Sequence, residues 1–440
     1  MIETFTLNNL GLVAGTCKEL RIAEIVDELI PPDPQQKVTT GQAIVAMIIN
    51  GLGFSNRTLY LFPQFFEKKP VDILIGEDVA AEYLNDDTIG RSLDRVFSHG
   101  CTELFSSLAL YATQKESVDK KFGHLDTTTF SLYGDYKSSQ EEDAAVRITH
   151  GASKLKRPDL KQIFLNLLVT SDGGIPLFMQ VLDGNSSDNT TFRKTITEFR
   201  KGIRNNLQEI EYWIADCKLY TDTTISEVND EIKWISRVPD NIKEATLEIE
   251  RAIEKLNTLQ PMKDDRYSYR THQSNYGGVL QRWLIIFSTE AQRRSKKTVT
   301  RAVAKELADI TSQSKKRGRK GFFCDADALN SIPIFQKKLK YHTISIGSMK
   351  VKAKYKGRGR PSKTAEKGYL FQPQYCIEPD REAIEKESNR RAIFIVATNE
   401  LSSEKLSDQE VLDHYKDQNK VERGFRFLKD PLFLRLFNII

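Results

Sequence analysis

The amino-acid sequence predicts an α/β protein with a mixed five-stranded sheet and flanking helices, an N-terminal all-helical domain and an inserted α+β subdomain. Three observations support this class. Near the start of the chain, apolar residues recur every three or four positions, which is typical of amphipathic helices. Short runs rich in apolar and β-branched residues then alternate with helical segments. A mixed block follows, and the chain returns to one strand and one helix.

Length and composition set the limits of this interpretation. The 440 residues are enough for two to four domains, at roughly 100–200 residues for each. The net charge of +5 is too small to identify a partner. Five scattered cysteines without a Cys-x-x-Cys pair argue against a disulfide scaffold and a structural zinc site. No secretory signal and no apolar stretch of about 20 residues is found, so we expect a cytoplasmic protein without a membrane span.

Residues 1–118 are predicted to form the helical domain. Residues 18–29 and Thr40–Leu52 carry apolar side chains at spacings of three and four. Residues 87–97 begin with an aspartate that is the predicted helix cap, and residues 104–114 add a further helix. Nothing in this composition states a function.

Residues 119–240 are predicted to hold the first part of the sheet domain. The first three strands form an antiparallel meander, since the SDGG turn joins the second and third. The predicted elements are strands at 123–133, 161–170 and 175–182, a helix at 188–203, a strand at 210–215, a helix at 221–228 and a strand at 232–238. This order of strands and helices is that of the ribonuclease H-like fold.

Residues 241–389 are predicted to be an inserted subdomain, and residues 390–440 return to the sheet domain. The insert has predicted helices at 242–259, 293–311 and 325–339, a strand pair with a turn over 267–289, and strands at 341–356 and 369–377. The last part has a strand at 391–398 and one long helix at 407–428.

Three acidic residues stand out because of where they fall in these elements. Asp126 is inside the first strand, Asp216 ends the fourth, and Glu422 is on the last helix. A single Asp at a strand end is more often a turn former or a helix cap. Asp is disfavoured inside a strand, however, and in the predicted sheet the first and fourth strands are neighbours. Two adjacent carboxylates favour a bound divalent cation, and hard oxygen ligands select Mg²⁺ or Mn²⁺.

The last helix supports a catalytic interpretation. Tyr415, Glu422 and Lys429 follow one another at intervals of seven residues, so they share one face. A surface helix with an ion pair between Glu422 and Arg426 remains the alternative. Residues on or beside this face that suit a DNA phosphate, and that we expect to bind DNA, are Tyr415, Gln418, Lys420, Arg423, Arg426 and Lys429.

Two basic clusters lie in the predicted insert. Residues 315–320 (KKRGRK) and 352–363 (KAKYKGRGRPSK) suit a phosphate backbone, and solvated loops are the alternative. The Arg-Gly-Arg-Pro within 357–363 is similar to the core of an AT-hook, although a basic loop with non-specific phosphate contacts is the simpler interpretation.

Taken together, these segments resemble a known family. HLDTTTFS around Asp126, ADCKLYT around Asp216, and residues 151–162 and 184–192 between them are similar to segments of the DDE transposases of bacterial insertion sequences. In the group with a Tyr-Arg-Glu-Lys signature on the last helix, Tyr415, Glu422 and Lys429 match, and Gln418 stands where the arginine usually is.

The resemblance implies a ribonuclease H-like fold with Asp126, Asp216 and Glu422 as catalytic metal ligands. It implies hydrolysis at the ends of the element and strand transfer into target DNA, assisted by two Mg²⁺ or Mn²⁺ ions. The partners would be the terminal inverted repeats and target DNA, held by a homodimer. It also implies an aromatic residue in the insert that holds a flipped base. Trp283 is the candidate, with packing inside a strand as the alternative.

One departure keeps two other functions open. The sequence ends eleven residues after Lys429, whereas the family's members usually continue, so we expect a truncated form whose activity is in question. One alternative is an inactive copy that only binds DNA. The other is a related nuclease that hydrolyses DNA without strand transfer.

Overall fold

The computed structural model describes residues 5, 7–53, 57–137, 145–152, 157–186, 195–196, 210–217, 219–228, 231–355 and 367–430. The chain divides into two compact units. The first comprises residues 1–237, 273–282 and 396–440, and the second comprises residues 238–272 and 283–395.

The N-terminal part of the first unit consists of helices around an apolar core. The helices are α1 (Leu10–Glu19), α2 (Ile22–Leu29), α3 (Thr40–Leu52), α4 (Phe62–Phe66), α5 (Val71–Leu74), α6 (Asp86–His99) and α7 (Cys101–Lys115). The largest fully buried side chains of their core are Leu10, Ile49, Phe62, Phe66, Leu84 and Ile89. The predicted helical character of this region is confirmed.

Residues 18–29 form parts of two helices, so the prediction of one continuous helix is wrong. Arg21 has a left-handed backbone (φ 51°), and its N–H donates to the carbonyl of Lys18 at 3.0 Å. The turn lets α2 approach α3 closely. A Cβ at position 41 would lie 2.1 Å from the carbonyl oxygen of Ala23, which explains the glycine there.

The cap of α6 also differs from the prediction. Asn85, and not Asp87, precedes the helix and accepts the N–H of Thr88 at 2.9 Å. Asp86 and Asp87 occupy the first turn, where the helix dipole favours carboxylates.

The rest of the first unit is built on a mixed sheet. Its elements are β1 (Phe122–Leu132), β2 (Lys161–Thr170), β3 (Pro176–Leu182), β4 (Tyr212–Ala215), α8 (Asp222–Val228), β5 (Lys233–Val238), the end of β11 (Ile393–Thr398), α13 (Asp408–Lys416) and α14 (Asn419–Leu428). The strand order is β3-β2-β1-β4-β5-β11. β1 is antiparallel to β2 and parallel to β4, and β4 is parallel to β5. All five predicted strands are present, in an order consistent with a ribonuclease H-like sheet. The predicted number of five strands is too small, because β11 pairs with β5 as a further strand.

The predicted long helix at 407–428 is two helices, α13 and α14, with a tight turn between them. The N–H groups of Gln418 and Lys420 donate to carbonyls three residues earlier, those of Tyr415 (3.3 Å) and Asp417 (2.8 Å). The helical i−4 hydrogen-bond pattern is therefore interrupted just before Glu422.

The second unit also combines helices and strands. Its elements are α9 (Lys243–Glu254), β6 (Gln260–Pro261), β7 (Tyr267–Ser274), β8 (Gln281–Ser288), α10 (Thr289–Lys320), α11 (Asp325–Gln336), β9 (His342–Tyr355), β10 (Lys367–Pro379), α12 (Arg381–Arg390) and the start of β11. Strands β11, β8, β7 and β6 are neighbours in that order, and β9 and β10 form a separate antiparallel pair. The last residues of β7 and the first of β8 belong to the first unit.

Buried charges organise the core of the second unit. Glu248 on α9 is 2% exposed and forms ion pairs with Arg270 on β7 and with Arg251. Trp283 on β8 is fully buried, so its interpretation as a core residue is confirmed. Glu306 on α10 accepts the N–H groups of Lys340 and Tyr341 at 2.7 and 2.8 Å, which fixes the start of β9 to that helix.

Other predictions for the insert have mixed outcomes. Residues 315–320 are the last turns of α10, so the alternative of a solvated loop there is wrong. Residues 357–363, most of 188–203 and the end at 431–440 lie outside the described residues. Within the described part of the chain, we find no helix that is long and apolar enough to cross a membrane.

Candidate functional site

Two carboxylates lie at corresponding positions of neighbouring parallel strands. In the pairing of β1 with β4, Leu125 is opposite Ala215, so Asp126 and Asp216 occupy the next position of the same register. Paired strands are about 4.8 Å apart and register partners project from the same face. Both side chains are half-buried. The adjacency that strand order predicted is therefore confirmed.

A second observation identifies the face from which Asp126 projects. In the antiparallel pairing of β1 with β2, Asp126 is opposite Leu167 and shares its face. Leu167 packs against Val421 and Phe425, the buried residues of α14. The helix that carries Glu422 thus covers the face of the sheet to which Asp126 belongs.

Gln418 joins this helix to the aspartate strand. Its Nε2 donates to the carbonyl of Leu125 at 3.2 Å, and its Oε1 lies 3.3 Å from Nδ1 of His124. Both ends of the amide therefore contact the two residues of β1 that immediately precede Asp126. The DNA-binding role predicted for Gln418 stays a prediction, while in the structure its amide contacts the aspartate strand.

The hydrogen bonds continue from His124 into the fold. His124 Nε2 lies 2.6 Å from the Ser171 hydroxyl, and that hydroxyl lies 3.2 Å from Nδ1 of His414 on α13. Neutral histidines satisfy all three hydrogen bonds in one arrangement. His414 Nδ1–H donates to the Ser171 hydroxyl, that hydroxyl donates to His124 Nε2, and His124 Nδ1–H donates to Gln418 Oε1. Burial lowers the pKa of His124 from 6.5 to about 4, and the Gln418 hydrogen bond only partly offsets this effect. His124 is therefore neutral at pH 7.

Lys429 fixes the far end of α14 to the same strand. Its Nζ donates to Oγ1 of Thr128 at 2.5 Å. Burial lowers the pKa of Lys429, and the negative charge of Asp126 opposes this effect, so the ammonium and the carboxylate interact. Thr128 and His124 share the face of Asp126, because side chains alternate along a strand.

These two attachments lie on either side of Glu422 in the sequence. Gln418 and Lys429 are about 16 Å apart at 1.5 Å per helical residue, and Glu422 is about one third of the way from Gln418 to Lys429. Its side chain is exposed. The contacts of the described residues contain no ion pair between Glu422 and Arg426, which the surface-helix alternative offered.

Tyr415 leads to a residue that we did not predict from the sequence. In the parallel pairing of β4 with β5, Ala215 is opposite Ser236. The next residues along the two strands, Asp216 and Arg237, are therefore at corresponding positions of the same register. Burial raises the pKa of Tyr415, and the charge and a hydrogen bond of Arg237 oppose this effect, whereas Asp216 acts with burial. The sequence did offer one indication of Arg237: it is a cation near the end of a strand that is parallel to the strand ending in Asp216.

The remaining predicted DNA-binding residues fall into two groups. Nζ of Lys420 donates to the carbonyl of Ser171 at 2.5 Å and to Oδ2 of Asp417 at 2.8 Å, so it helps to hold the turn between α13 and α14. Arg423 and Arg426 are exposed on α14.

The donor set fits a hard divalent cation in part. Over the residues that the structure describes, no three His, Cys, Asp or Glu side chains form a group able to hold a metal ion on their own. Asp126 and Asp216 supply two carboxylates, and exposed Glu422 is not in a group with them. Mg²⁺ is usually bound by one or two carboxylates together with water and substrate phosphate, so the two aspartates suit it.

Two family models match the sequence of the chain. Residues 119–438 match the family model described as a transposase DDE domain, and residues 2–110 match a domain of unknown function (DUF4277). A search of curated proteins found no match. The transposase model spans more than half of the chain and includes both aspartate strands and the helix that carries Glu422. The chain therefore belongs to the DDE transposase family.

Proposed function

We propose that this transposase cuts DNA at the ends of an insertion sequence and joins them to target DNA, with Asp126, Asp216 and Glu422 as its catalytic residues. The proposal is supported chiefly by one shared face of the sheet. Asp126 and Asp216 are neighbours on that face, and α14 is fixed to it on both sides of Glu422.

The three carboxylates would hold two Mg²⁺ or Mn²⁺ ions. When bound, such ions activate a water or a 3′-hydroxyl and stabilise the leaving oxygen in displacement at phosphorus. Asp126 and Asp216 are held by the sheet, whereas Glu422 is exposed on its helix. We infer that Glu422 joins the aspartates when metal and DNA phosphate are present.

Cations next to the carboxylates would bind the DNA phosphate. Arg237 interacts with Tyr415 beside Asp216, and Lys429 interacts with Asp126. Arg423 and Arg426 are exposed on the same helix as Glu422 and would contact phosphates further from the cut. Gln418 stands where the related group usually has an arginine, and its amide is hydrogen-bonded to β1. We infer that Arg237 supplies the positive charge that is missing at position 418.

We further propose that residues 1–118 recognise the terminal inverted repeats and that a homodimer holds two ends. This proposal is based on the helical region that precedes the residues matched by the transposase family model. Footprinting of the full chain on DNA from either side of its gene tests this role. Protection of the ends no stronger than that of random DNA would refute it.

The test of catalysis uses a plasmid that carries the gene with its flanking DNA. We expect the purified chain to nick the element ends and to join them to a second plasmid with Mg²⁺ or Mn²⁺, and to do neither with EDTA. Asp126→Asn, Asp216→Asn and Glu422→Gln should each abolish both steps without weakening DNA binding, because each removes a metal ligand and leaves the fold intact.

Asp413→Asn is the matched control, since Asp413 is an exposed acidic residue on α13. It should retain wild-type activity. Cleavage without joining would assign a nuclease, and binding without cleavage in either metal would assign a DNA-binding protein. Each of these results would refute the proposed function.

A further inference from the structure

The second unit carries three lysines on one face of an extended strand pair. We call residues 348–355 of β9 and 367–374 of β10 the arm. Lys350, Lys352 and Lys354 alternate along β9, so they project from the same face, and all three are exposed. Their partners on β10 are Gln372, Leu370 and Gly368, so no acidic side chain is opposite them. We call this surface the lysine face.

The last turn of α10 lies along the same side of the arm. Nε2 of Gln372, which shares the lysine face, donates to the carbonyl of Arg319 at 2.8 Å. Phe322 pairs with Phe371 at the edge of β10, and Nζ of Lys354 lies 5.3 Å from the ring centre of Phe323. Residues 315–320 therefore lie next to residues 352–355, the described part of the second basic cluster, although 32 residues separate Lys320 from Lys352 (352 − 320).

The combined surface has an excess of positive charge. Residues 315–323, 348–355 and 367–374 contain nine lysines and arginines and no aspartate or glutamate. None of the exposed cations forms an ion pair with another described residue; they are Lys315, Lys316, Arg319, Lys320, Lys350, Lys352 and Lys354. The helix dipole favours cations in the last turn of α10, but it does not account for three lysines on a strand.

We propose that the lysine face and the last turn of α10 bind the phosphate backbone of duplex DNA without reading its base sequence. Lysines on alternate residues are about 7 Å apart, and a lysine acts as a flexible point charge suited to phosphates. The face offers few groups that distinguish bases, since Leu370 and Gly368 lie opposite two of the lysines. Its two amides already have partners: Gln372 donates to Arg319, and Gln374 accepts the hydroxyl of Ser348 at 2.8 Å. This inference rests on the proposed function in taking DNA as the substrate, and it adds a second contact surface.

The test is the triple variant Lys350→Gln, Lys352→Gln and Lys354→Gln in the full chain. All three side chains are exposed, so we expect an unchanged unfolding midpoint. Affinity for a random-sequence duplex is measured by fluorescence anisotropy at several salt concentrations. Each phosphate contact contributes about 0.9 to the slope of log K against log salt, so the slope should fall by about 2.7. Between about 50 and 200 mM salt, the variant should lose about 40-fold less affinity than the wild type does.

The matched control removes three other exposed lysines of the same unit, with Lys305→Gln, Lys337→Gln and Lys386→Gln. It should keep the wild-type slope. A triple variant with the slope and affinity of the wild type would overturn the proposal. A fall in slope equal to that of the control variant would also overturn it. The same holds if the three lysines affect binding of RNA or anionic vesicles but not binding of DNA.

Failure of this proposal and failure of the proposed function give different results. At low salt and saturating protein, the triple variant should still nick element ends with Mg²⁺, because the catalytic carboxylates are unchanged. If the wild type binds DNA through the lysine face but never nicks it, the arm proposal stands and the catalytic one is lost.

Discussion

Replacement of His124 by glutamine should make the stability of the protein less sensitive to acid. His124 is fully buried and its pKa is lowered to about 4 from an ordinary value of 6.5. The unfolded chain therefore binds a proton at His124 below pH about 6.5, whereas the folded chain does not until about pH 4. Unfolding is favoured as the pH falls between these values, and the wild-type stability from this residue is fully present only above pH about 6.5.

The magnitude follows from the difference between the two pKa values. A difference of about 2.5 corresponds to about 3 kcal/mol at 1.36 kcal/mol for each pKa unit. His124→Gln should lower the free energy of unfolding at pH 7 by about 1–3 kcal/mol, since the Ser171 and Gln418 hydrogen bonds are disturbed. On going from about pH 7 to pH 4, however, it should lose about 3 kcal/mol less than the wild type does.

Two measurements check this expectation. Urea unfolding of the full chain at several pH values gives the pH dependence, and His150→Gln, at an exposed histidine, should retain the wild-type dependence. NMR of protein labelled with ¹³C-histidine gives the pKa itself, with His124→Gln used to assign the signal. A His124 signal that titrates near pH 6.5, or equal acid sensitivity of His124→Gln and wild type, would refute the reasoning.

Three other changes have expected outcomes. Arg237→Gln should raise the pKa of Tyr415 further, because the charge that opposes the effect of burial is lost. It should also weaken binding of the element ends about tenfold to a hundredfold. An unchanged titration of Tyr415, followed by ultraviolet absorbance, would contradict this expectation. Phe425→Ala, which opens a cavity between α14 and β2, should cost about 3–5 kcal/mol in urea unfolding and reduce cleavage. Glu248→Ala should cost about 3 kcal/mol by leaving Arg270 without its buried partner, whereas Glu250→Ala should cost little.

The strands β1 to β5 could be predicted because each has a strong apolar run, which is a local pattern. The adjacency of the two aspartates could be predicted because the order of strands and helices is that of the ribonuclease H-like fold, in which the first and fourth strands are neighbours. The break at Arg21 was missed because a left-handed residue is usually marked by Gly or Asn, and neither is present. The cap of α6 was misassigned because Asn85, Asp86 and Asp87 are all suitable caps.

The parts of the site that were missed depend on contacts between distant residues. The role of Gln418 depends on His124, 294 residues earlier, and on a turn that interrupts the predicted helix. Arg237 belongs to no motif, and its meaning comes only from the register of β5 with β4. The closeness of residues 315–320 to the lysines of β9 depends on β10 lying beside the end of α10. Side-chain spacing within one element carries none of this information.

The attachment of α14 to β1 and β2 also determines when this part of the protein can complete its folding during synthesis. At about 5–20 residues per second, the 294 residues between His124 and Gln418 take about 15–60 s to synthesise. During that time Leu165, Leu167 and Val169 lack the helix that covers them. A nascent chain thus holds its aspartates long before Glu422 arrives, with an apolar surface open to chaperones. Synthesis that stops before Val421 would leave a product unable to complete either its core or its catalytic centre.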